Sequence, residues 1–273
     1  VPAVRCYVEL RGIIAIVSKD YCILKLPIEP IERRYSSQWH LWFEQAFHRN
    51  NLPFQTVLGQ EGTPPASDKF LDPASTFSWK FTQLTQAIPF CGKGQRIVVF
   101  LHDGWMPGVE MFPYLNDLDD RDIVVASFWH AGSYDQTDLL GLRDCKRWAG
   151  DSESGWLGLN SVVFVGSNYH KSMICASMRI NPDKICVVGC PVEVPLKKAL
   201  SWEDRENVVV WPHRISVDKN PQIFDRLTQE SRFAGVQFVR TLDVSRSKSE
   251  YYDLLSRAKV VVSTASHENF GIA

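Results

Sequence analysis

The 273-residue sequence has no apolar run of the roughly 18 residues that a bilayer-spanning helix needs. The segment "GIIAIV" at 12–17 is short, Arg11 and Lys19 flank it, and no small-residue cleavage pattern follows, so neither a membrane span nor a signal peptide is expected. An excess of one charge is also missing. Thirty Lys plus Arg stand against 31 Asp plus Glu, and no global basic field marks a nucleic-acid backbone as partner, although a local basic patch stays open. The seven cysteines include no C-x-x-C pair and several lie in apolar runs such as "KICVVG", which favours reduced, buried thiols over disulfides or zinc. Cys186 and Cys190 bracket Gly189 and suit a turn better than a metal. These absences read as a cytoplasmic protein. The chain starts without Met and stops inside a motif, and is read as a fragment of a longer one.

What is present is ordinary globular material, with 22% charged and 45% apolar residues and a length that suits two domains. Runs of β-branched and aromatic residues recur: "YCILKLPI" (21–28), "RIVVFL" (96–101), "DIVVASFW" (122–129), "SVVFVG" (161–166), "KICVVG" (184–189), "NVVVW" (207–211), "VQFVR" (236–240) and "KVVVS" (259–263). Runs apolar at every position predict strands buried on both faces, hence a parallel sheet between helices. Helical patterns fit between them. Over 36–50, Trp39, Trp42, Phe43, Ala46 and Phe47 fall at i, i+3, i+4, i+7 and i+8 behind a Ser N-cap, and 249–258 opens at a Ser cap with Glu250 in its first turn. The class is α/β, doubly wound.

Two prolines and a run of charges in "CPVEVPLKKALSWEDREN" place a linker at 191–205. Residues 21–190 then form one Rossmann-like domain, and 206–273 the start of a second whose remaining strands are missing. Residues 1–20 read equally as an edge strand or an extension.

Ligands of open parallel sheets bind beyond the carboxyl ends of the strands. His102 and Asp103 follow "RIVVFL", His130 to Ser133 follow "DIVVASFW", Ser167 and Asn168 follow "SVVFVG", His213 and Arg214 follow "NVVVW", and His267 and Glu268 follow "KVVVS". These groups would line a cleft between two facing domains. A single histidine beyond a strand is ordinarily a capping or packing residue; three on one edge weigh against that. Arg214 and Lys219, five apart in "RISVDK", are either solvated loop charges or a diphosphate clamp that joins a guanidinium fork to an ammonium just before a helix. Two other motifs fail on position. The Asp-x-Asp of "DLDD" (117–120) precedes its strand and reads as a solvated helix end, and "CGKGQ" (91–95) also precedes a strand and lacks the third glycine of a dinucleotide fingerprint.

Together "WPHRISVDKNP" and "STASHENFGIA" resemble the donor-binding domain of GT-B glycosyltransferases of the retaining family 4 type. There an Arg and a Lys five residues on contact the nucleotide diphosphate, and a later Glu-x-Phe-Gly opens an E-x7-E motif. Arg214 and Lys219 match the first pair; Glu268, Phe270 and Gly271 match the start of the second, whose closing Glu would fall beyond Ala273. "LPIEPIERRYSSQWHLWF" and "SFWHAGSYD" are similar to the amino-terminal domain of phage-type members thought to glycosylate modified nucleobases, and transfer-RNA queuosine mannosyltransferases share a related pattern. The resemblance implies a nucleotide-sugar donor, no further cofactor and no metal, an acceptor in modified DNA or tRNA, and action in the host cytoplasm for a phage-encoded protein. It also implies His130 and Glu268 as catalytic residues and a donor-sugar site at Glu268, Asn269, Phe270 and Gly271. Glu29, Arg33 and Arg34 in the loop after the first strand, with His102 and Asp103, are expected on the acceptor side; loop charges are the equal alternative for the first three. A chain that kept the fold and lost turnover would instead be a nucleotide-sugar-binding protein.

Overall fold

The computed structural model describes residues 21–31, 35–60, 73–142, 146–191 and 200–266. Residues 1–20, the matched motif at 267–273 and most of the expected linker lie outside them, as do Arg33 and Arg34. The chain divides into two compact units, Val1–Val192 and Glu193–Ala273.

The larger unit holds a six-stranded, wholly parallel sheet in the order β2-β1-β3-β4-β5-β6. Its elements in chain order are β1 (Tyr21–Leu26), α1 (Tyr35–Arg49), β2 (Phe54–Thr56), α2 (Pro73–Ala87), β3 (Arg96–Leu101), α3 (Met111–Asp119) and β4 (Asp122–Trp129). A single helical turn, α4 (Leu139–Leu142), precedes α5 (Lys146–Leu159), β5 (Val162–Val165), α6 (Asn168–Ser177) and β6 (Ile185–Val187). All four residues of β5 are buried, as are Ile97 to Leu101 of β3, so these strands are covered on both faces as the apolar runs require. β2 was not legible as a strand. It is three residues long, follows Pro53 and pairs with β1 at the sheet edge, too short to carry a period.

One face of the sheet is covered by α1, whose Trp39, Phe43 and Phe47 project at four-residue intervals onto an aromatic layer. Ring centroids lie 5.1 Å apart for Trp39 and Phe128, 5.0 Å for Phe43 and Phe100 and 5.2 Å for Phe47 and Phe54. Two features of the helix ends differ from the sequence expectation. Ser36 is the second residue of α1, not its cap, and its hydroxyl accepts the Ile31 N–H at 3.2 Å. The terminal helix of the smaller unit is capped by Ser247 rather than Ser249: the Ser247 hydroxyl accepts the Glu250 N–H, while the Glu250 carboxylate reaches back to the Arg246 N–H at 2.6 Å.

The smaller unit carries β7 (Glu206–Trp211), α7 (Pro221–Thr228), β8 (Gln237–Arg240), the turn α8 (Thr241–Val244), α9 (Lys248–Arg257) and β9 (Ala258–Val261). Its three strands are parallel in the order β8-β7-β9, with Val208, Val210, Val239 and Leu254 forming its core. Val260 and Val261 of β9 are 41% and 43% exposed. Among the described residues no helix is long and apolar enough to cross a membrane.

Candidate functional site

The carboxyl edge of the smaller unit's sheet is built around the loop from β7 to α7. Trp211 closes β7, and its indole Nε1 donates to Thr264 Oγ1 at 2.8 Å; that hydroxyl donates in turn to the Lys219 carbonyl at 2.6 Å. Asn220 Nδ2 reaches the Thr264 carbonyl at 3.1 Å, His213 Nε2 lies 2.8 Å from Ser263 Oγ, and the Ser266 N–H and hydroxyl both bond the Asp218 carbonyl at 3.0 and 3.1 Å. The segment after β9 therefore holds the loop after β7 in place by side chains that take up its buried polar groups. The turn ends on Asn220 at φ 47°, a left-handed conformation that Asn tolerates, and Pro221 opens α7.

Within that loop Arg214 and Lys219 converge on the Asp218 carboxylate, at 3.8 Å and 3.1 Å from Oδ2. Arg214 is largely exposed and makes a long contact with Ser216 Oγ at 3.3 Å, whereas Lys219 is mostly enclosed. Burial works to raise the Asp218 carboxyl, but the Ser216 hydroxyl and the Lys219 and Arg214 cations outweigh it and hold it below the usual range. The pair thus sits on the ligand edge with an internal carboxylate between its two charges. Glu268, Asn269, Phe270 and Gly271 lie outside the described residues. A cavity of about 440 Å³ in the same unit lies elsewhere, lined by Glu206, Val208, Gln237, Asp253 and Arg257. Its lining runs along α9 against β7 and β8, reaches Val244 and Ser245 after β8, and includes neither Arg214 nor Lys219.

In the larger unit the polar residues beyond β1, β3 and β4 are drawn inward. His130 is 8% exposed, its ring stacks on Trp39 with centroids 4.6 Å apart, and Tyr35 lies 5.6 Å away. Nε2 approaches the His102 carbonyl at 2.6 Å, and since a carbonyl only accepts, the proton is on Nε2 and the lone pair on Nδ1. Burial lowers the His130 pKa; Asp103 and the His102 carbonyl work to raise it and do not offset the loss of water.

His102 and Asp103 are adjacent in sequence and differ in setting. His102 is fully enclosed, with Phe43 and Phe100 against its ring, and among the described residues neither ring nitrogen has a hydrogen-bond partner. Burial, with Lys25 and two histidines nearby, holds it neutral, far below the ordinary histidine pKa. An imidazole with no opening to solvent does not meet an acceptor, and His102 is a packing residue of the aromatic layer. Asp103 is bonded on both oxygens, to Lys80 Nζ at 2.7 Å and to the Trp105 N–H at 3.1 Å. Burial would raise its carboxyl, and Lys80, His130 and these bonds together bring it below the normal range. Glu29 is buried just beyond β1.

Three features had not been expected. Helix α2 sends Trp79 Nε1 and Gln83 Nε2 to the Pro27 carbonyl at 3.0 and 2.8 Å, Gln83 also to the Val57 carbonyl at 3.0 Å, and Lys80 to Asp103 and the Trp105 carbonyl. Lys25, in the middle of an apolar strand, is fully buried against Glu44 at 2.6 Å and the His40 carbonyl at 3.0 Å. Glu153 of α5 is buried against Ser133. Only Lys25 left a signal in the sequence, as the one charge inside "YCILKL". Of the described cysteines, Cys22, Cys91, Cys175 and Cys190 are free thiols. Among the described residues no group of three or more His, Cys, Asp or Glu is placed to hold a metal ion.

No protein-family model matches the chain. The sucrose-phosphate synthase of Thermosynechococcus elongatus superposes on it with a TM-score of 0.52 at 11% identity, over 93% of this chain and 77% of that one. The crystal structure of TarM gives 0.48 at 14% identity over 72% of this chain, which spans 42% of that one. The lipopolysaccharide outer core galactosyltransferase WaaB gives 0.45 at 11% identity, over 92% and 75% of the two chains. Identities this low speak of fold alone. The chain has two Rossmann-like α/β units with parallel sheets, the architecture of GT-B proteins.

Proposed function

We propose that the chain is a glycosyltransferase of the retaining family 4 type, which moves a sugar from a nucleotide-diphosphate sugar to an acceptor, with a modified nucleobase in DNA as the acceptor class. One observation carries the reading: two cations, Arg214 and Lys219, meet at one carboxylate on the ligand edge of a GT-B fold, in a loop held by the end of the neighbouring strand. An arrangement that gathers two positive charges on an internal anion is suited to an external one.

The chemistry follows from charge. As the bond between the anomeric carbon and the phosphate oxygen breaks, the nucleoside diphosphate departs with the electron pair, and the acceptor oxygen bonds the same face of the oxocarbenium-like sugar and passes its proton to the departing phosphate oxygen. Cations aimed at the leaving group favour that step most where water is scarce. Lys219, mostly enclosed, supplies a fixed charge; Arg214, exposed, turns its fork onto the phosphates from its long contact with Ser216. His130, neutral and buried at the margin of the aromatic layer, is assigned to positioning the donor sugar and assisting the acceptor, a role that rests on the sequence resemblance. Glu268, with Asn269, Phe270 and Gly271, takes the sugar hydroxyls, a role that rests on the sequence resemblance. On the acceptor side the reading keeps Glu29, Arg33 and Asp103.

The test is incubation with a panel of nucleotide sugars, with and without modified DNA or tRNA and with and without EDTA, reading released nucleoside diphosphate. Release that depends on modified DNA and survives EDTA is expected. Release dependent on tRNA favours the queuosine type, and binding without release under every condition leaves a nucleotide-sugar-binding protein. A strict requirement for Mn²⁺ or Mg²⁺ overturns the metal-free clamp.

A further inference from the structure

The turn that follows His130 is gripped by a carboxylate that the sugar-transfer chemistry does not use. Glu153 is fully buried on α5. Its Oε1 and Oε2 accept the Ser133 N–H at 3.1 and 2.9 Å, and Oε2 accepts the Ser133 hydroxyl at 2.6 Å. Gly132 makes room for this approach: a Cβ there would stand 3.0 Å from Glu153 Oε2 and 2.5 Å from the Tyr134 ring. Beyond Ser133, Tyr134 Oη lies 2.5 Å from His170 Nε2 on α6, the Asp135 N–H closes onto the Gly132 carbonyl at 3.0 Å, and the Asp135 carboxylate accepts the Thr137 N–H and hydroxyl. Two consecutive residues, Ser133 and Tyr134, are thus tied to α5 and α6, and Gly132, Asp135 and Thr137 close the turn on itself.

We propose that Glu153 is the positioning residue of the His130 loop: as a carboxylate it takes both donors of Ser133 and fixes the turn, and on protonation it releases part of that grip. A protonated carboxyl carries a hydrogen on one oxygen and keeps the other as its good acceptor, so the Ser133 N–H is no longer shared by two charged oxygens and the bonds from Ser133 weaken; where the proton sits on Oε2, the Ser133 hydroxyl also turns from donor to acceptor. The groups facing the carboxyl are Ser133, Tyr134 and Asp138 on the loop after β4, Asp103 after β3, and His170 of α6 through Tyr134. Burial pushes the Glu153 carboxyl up to about 7, against the Ser133 bonds and with Asp138 and Asp103 adding to the rise. His170 stays neutral, brought down to about 4 by burial. The Ser133 bonds therefore weaken near neutral pH. The consequence for turnover rests on the sugar-transfer reading; the grip itself does not.

The test is a pH titration of the full chain by NMR, following the Ser133 amide proton over about two pH units either side of neutrality. Expected is an inflection near pH 7 that vanishes in Glu153→Gln, whose amide mimics the protonated state. A Ser133 resonance that stays flat in the wild type, or an inflection that persists in the variant, overturns the proposal. Ser133→Ala supplies a second check should Glu153→Gln not fold. It removes one bond to the charged form, so the carboxyl, read from its own side-chain ¹³C resonance, must titrate at higher pH; an unchanged or lower midpoint is a refutation. Where a donor is found, Glu153→Gln should lower kcat by about 10-fold to 100-fold with the donor KM unchanged, the signature of a misplaced loop rather than lost binding. An equal rise in KM with unchanged kcat refutes positioning. If no nucleotide sugar is turned over by the wild type while the Ser133 titration holds, the sugar-transfer reading fails and the positioning role stands.

Discussion

The two ends of the Lys25–Glu44 pair should respond to mutation in opposite ways. The Lys25 side chain is fully enclosed, and its ammonium is held by Glu44 at 2.6 Å, the His40 carbonyl at 3.0 Å and His40 Nδ1 at 3.3 Å. Glu44 is 28% exposed and also takes the Thr56 hydroxyl at 2.7 Å. Glu44→Gln leaves a buried cation without its counter-charge. Breaking such a pair costs ~3–5 kcal/mol, and the partial exposure of Glu44 argues for the lower end, about 3 kcal/mol. For a unit of this size, about 2–4 °C per kcal/mol gives a Tm lowered by about 6–12 °C. Lys25→Met replaces the cation by an apolar chain of similar length and leaves Glu44 with Thr56 and water, so stability should stay within ~1 kcal/mol of the wild type or rise. Burial already lowers the Lys25 pKa and Glu44 works to raise it. In Glu44→Gln that pKa falls further, the unfolded chain binds the extra proton, and stability should recover as pH rises towards the ordinary lysine value. Thermal and urea melts followed by tryptophan fluorescence measure both effects, Trp39 being on the same helix as Glu44. A Lys25→Met protein destabilised as much as Glu44→Gln would refute the reasoning, because the pair would then act through its attraction and not through the burial of its charge.

Replacing Arg214 or Lys219 by Ala should lower kcat/KM by at least ~100-fold with any donor turned over, and Arg214→Lys should not restore it, because the planar fork is lost. Near-normal turnover in Lys219→Ala removes that residue from the clamp. Stability should fall as pH drops below the ordinary histidine pKa of 6.5: His102, His130 and His170 are held neutral in the fold, so the unfolded chain binds more protons there, down to about 4 for His170. The raised carboxyl of Glu153 acts in the opposite sense between its two pKa values, so His102→Leu should visibly flatten the acid limb of the urea midpoint plotted against pH, and an unchanged limb contradicts the burial of that ring. Gly104→Ala should destabilise the larger unit by ~1–3 kcal/mol in chemical denaturation, since a Cβ there would fall 1.9 Å from Nε1 of the buried Trp129, which is fixed by Ser127; a neutral result means the indole moves freely.

The central strands were legible because each is covered on both faces, which leaves an unbroken apolar run: "RIVVFL" and "SVVFVG" announce β3 and β5 with little error at the ends. Phe54–Thr56 was not, since an edge strand of three residues shows neither run nor alternation. Likewise the spacing of Arg214 and Lys219 was visible in "RISVDK", but the single helical turn over Val217–Lys219 is what brings both to the Asp218 carboxylate. His102 and His130 look equivalent from sequence, each following a strand; the aromatic packing of α1 encloses the first completely and leaves the second at the margin. Contacts such as Glu153 with Ser133 and Lys80 with Asp103 span 20 and 23 residues and depend on where a helix lies over the sheet, which no local pattern encodes.

Helix α2 ties the loops after three neighbouring strands, through Pro27, Val57 and the Asp103–Trp105 turn, by three of its own side chains. Those loops are therefore mechanically linked. A graft that exchanged the loop after β1 alone would strand Gln83 with half its acceptors, and one that exchanged the loop after β3 would leave the Lys80 ammonium buried without its carboxylate. Redesign of this edge has to move the helix with the loops, as one cassette, or begin by replacing Trp79, Lys80 and Gln83.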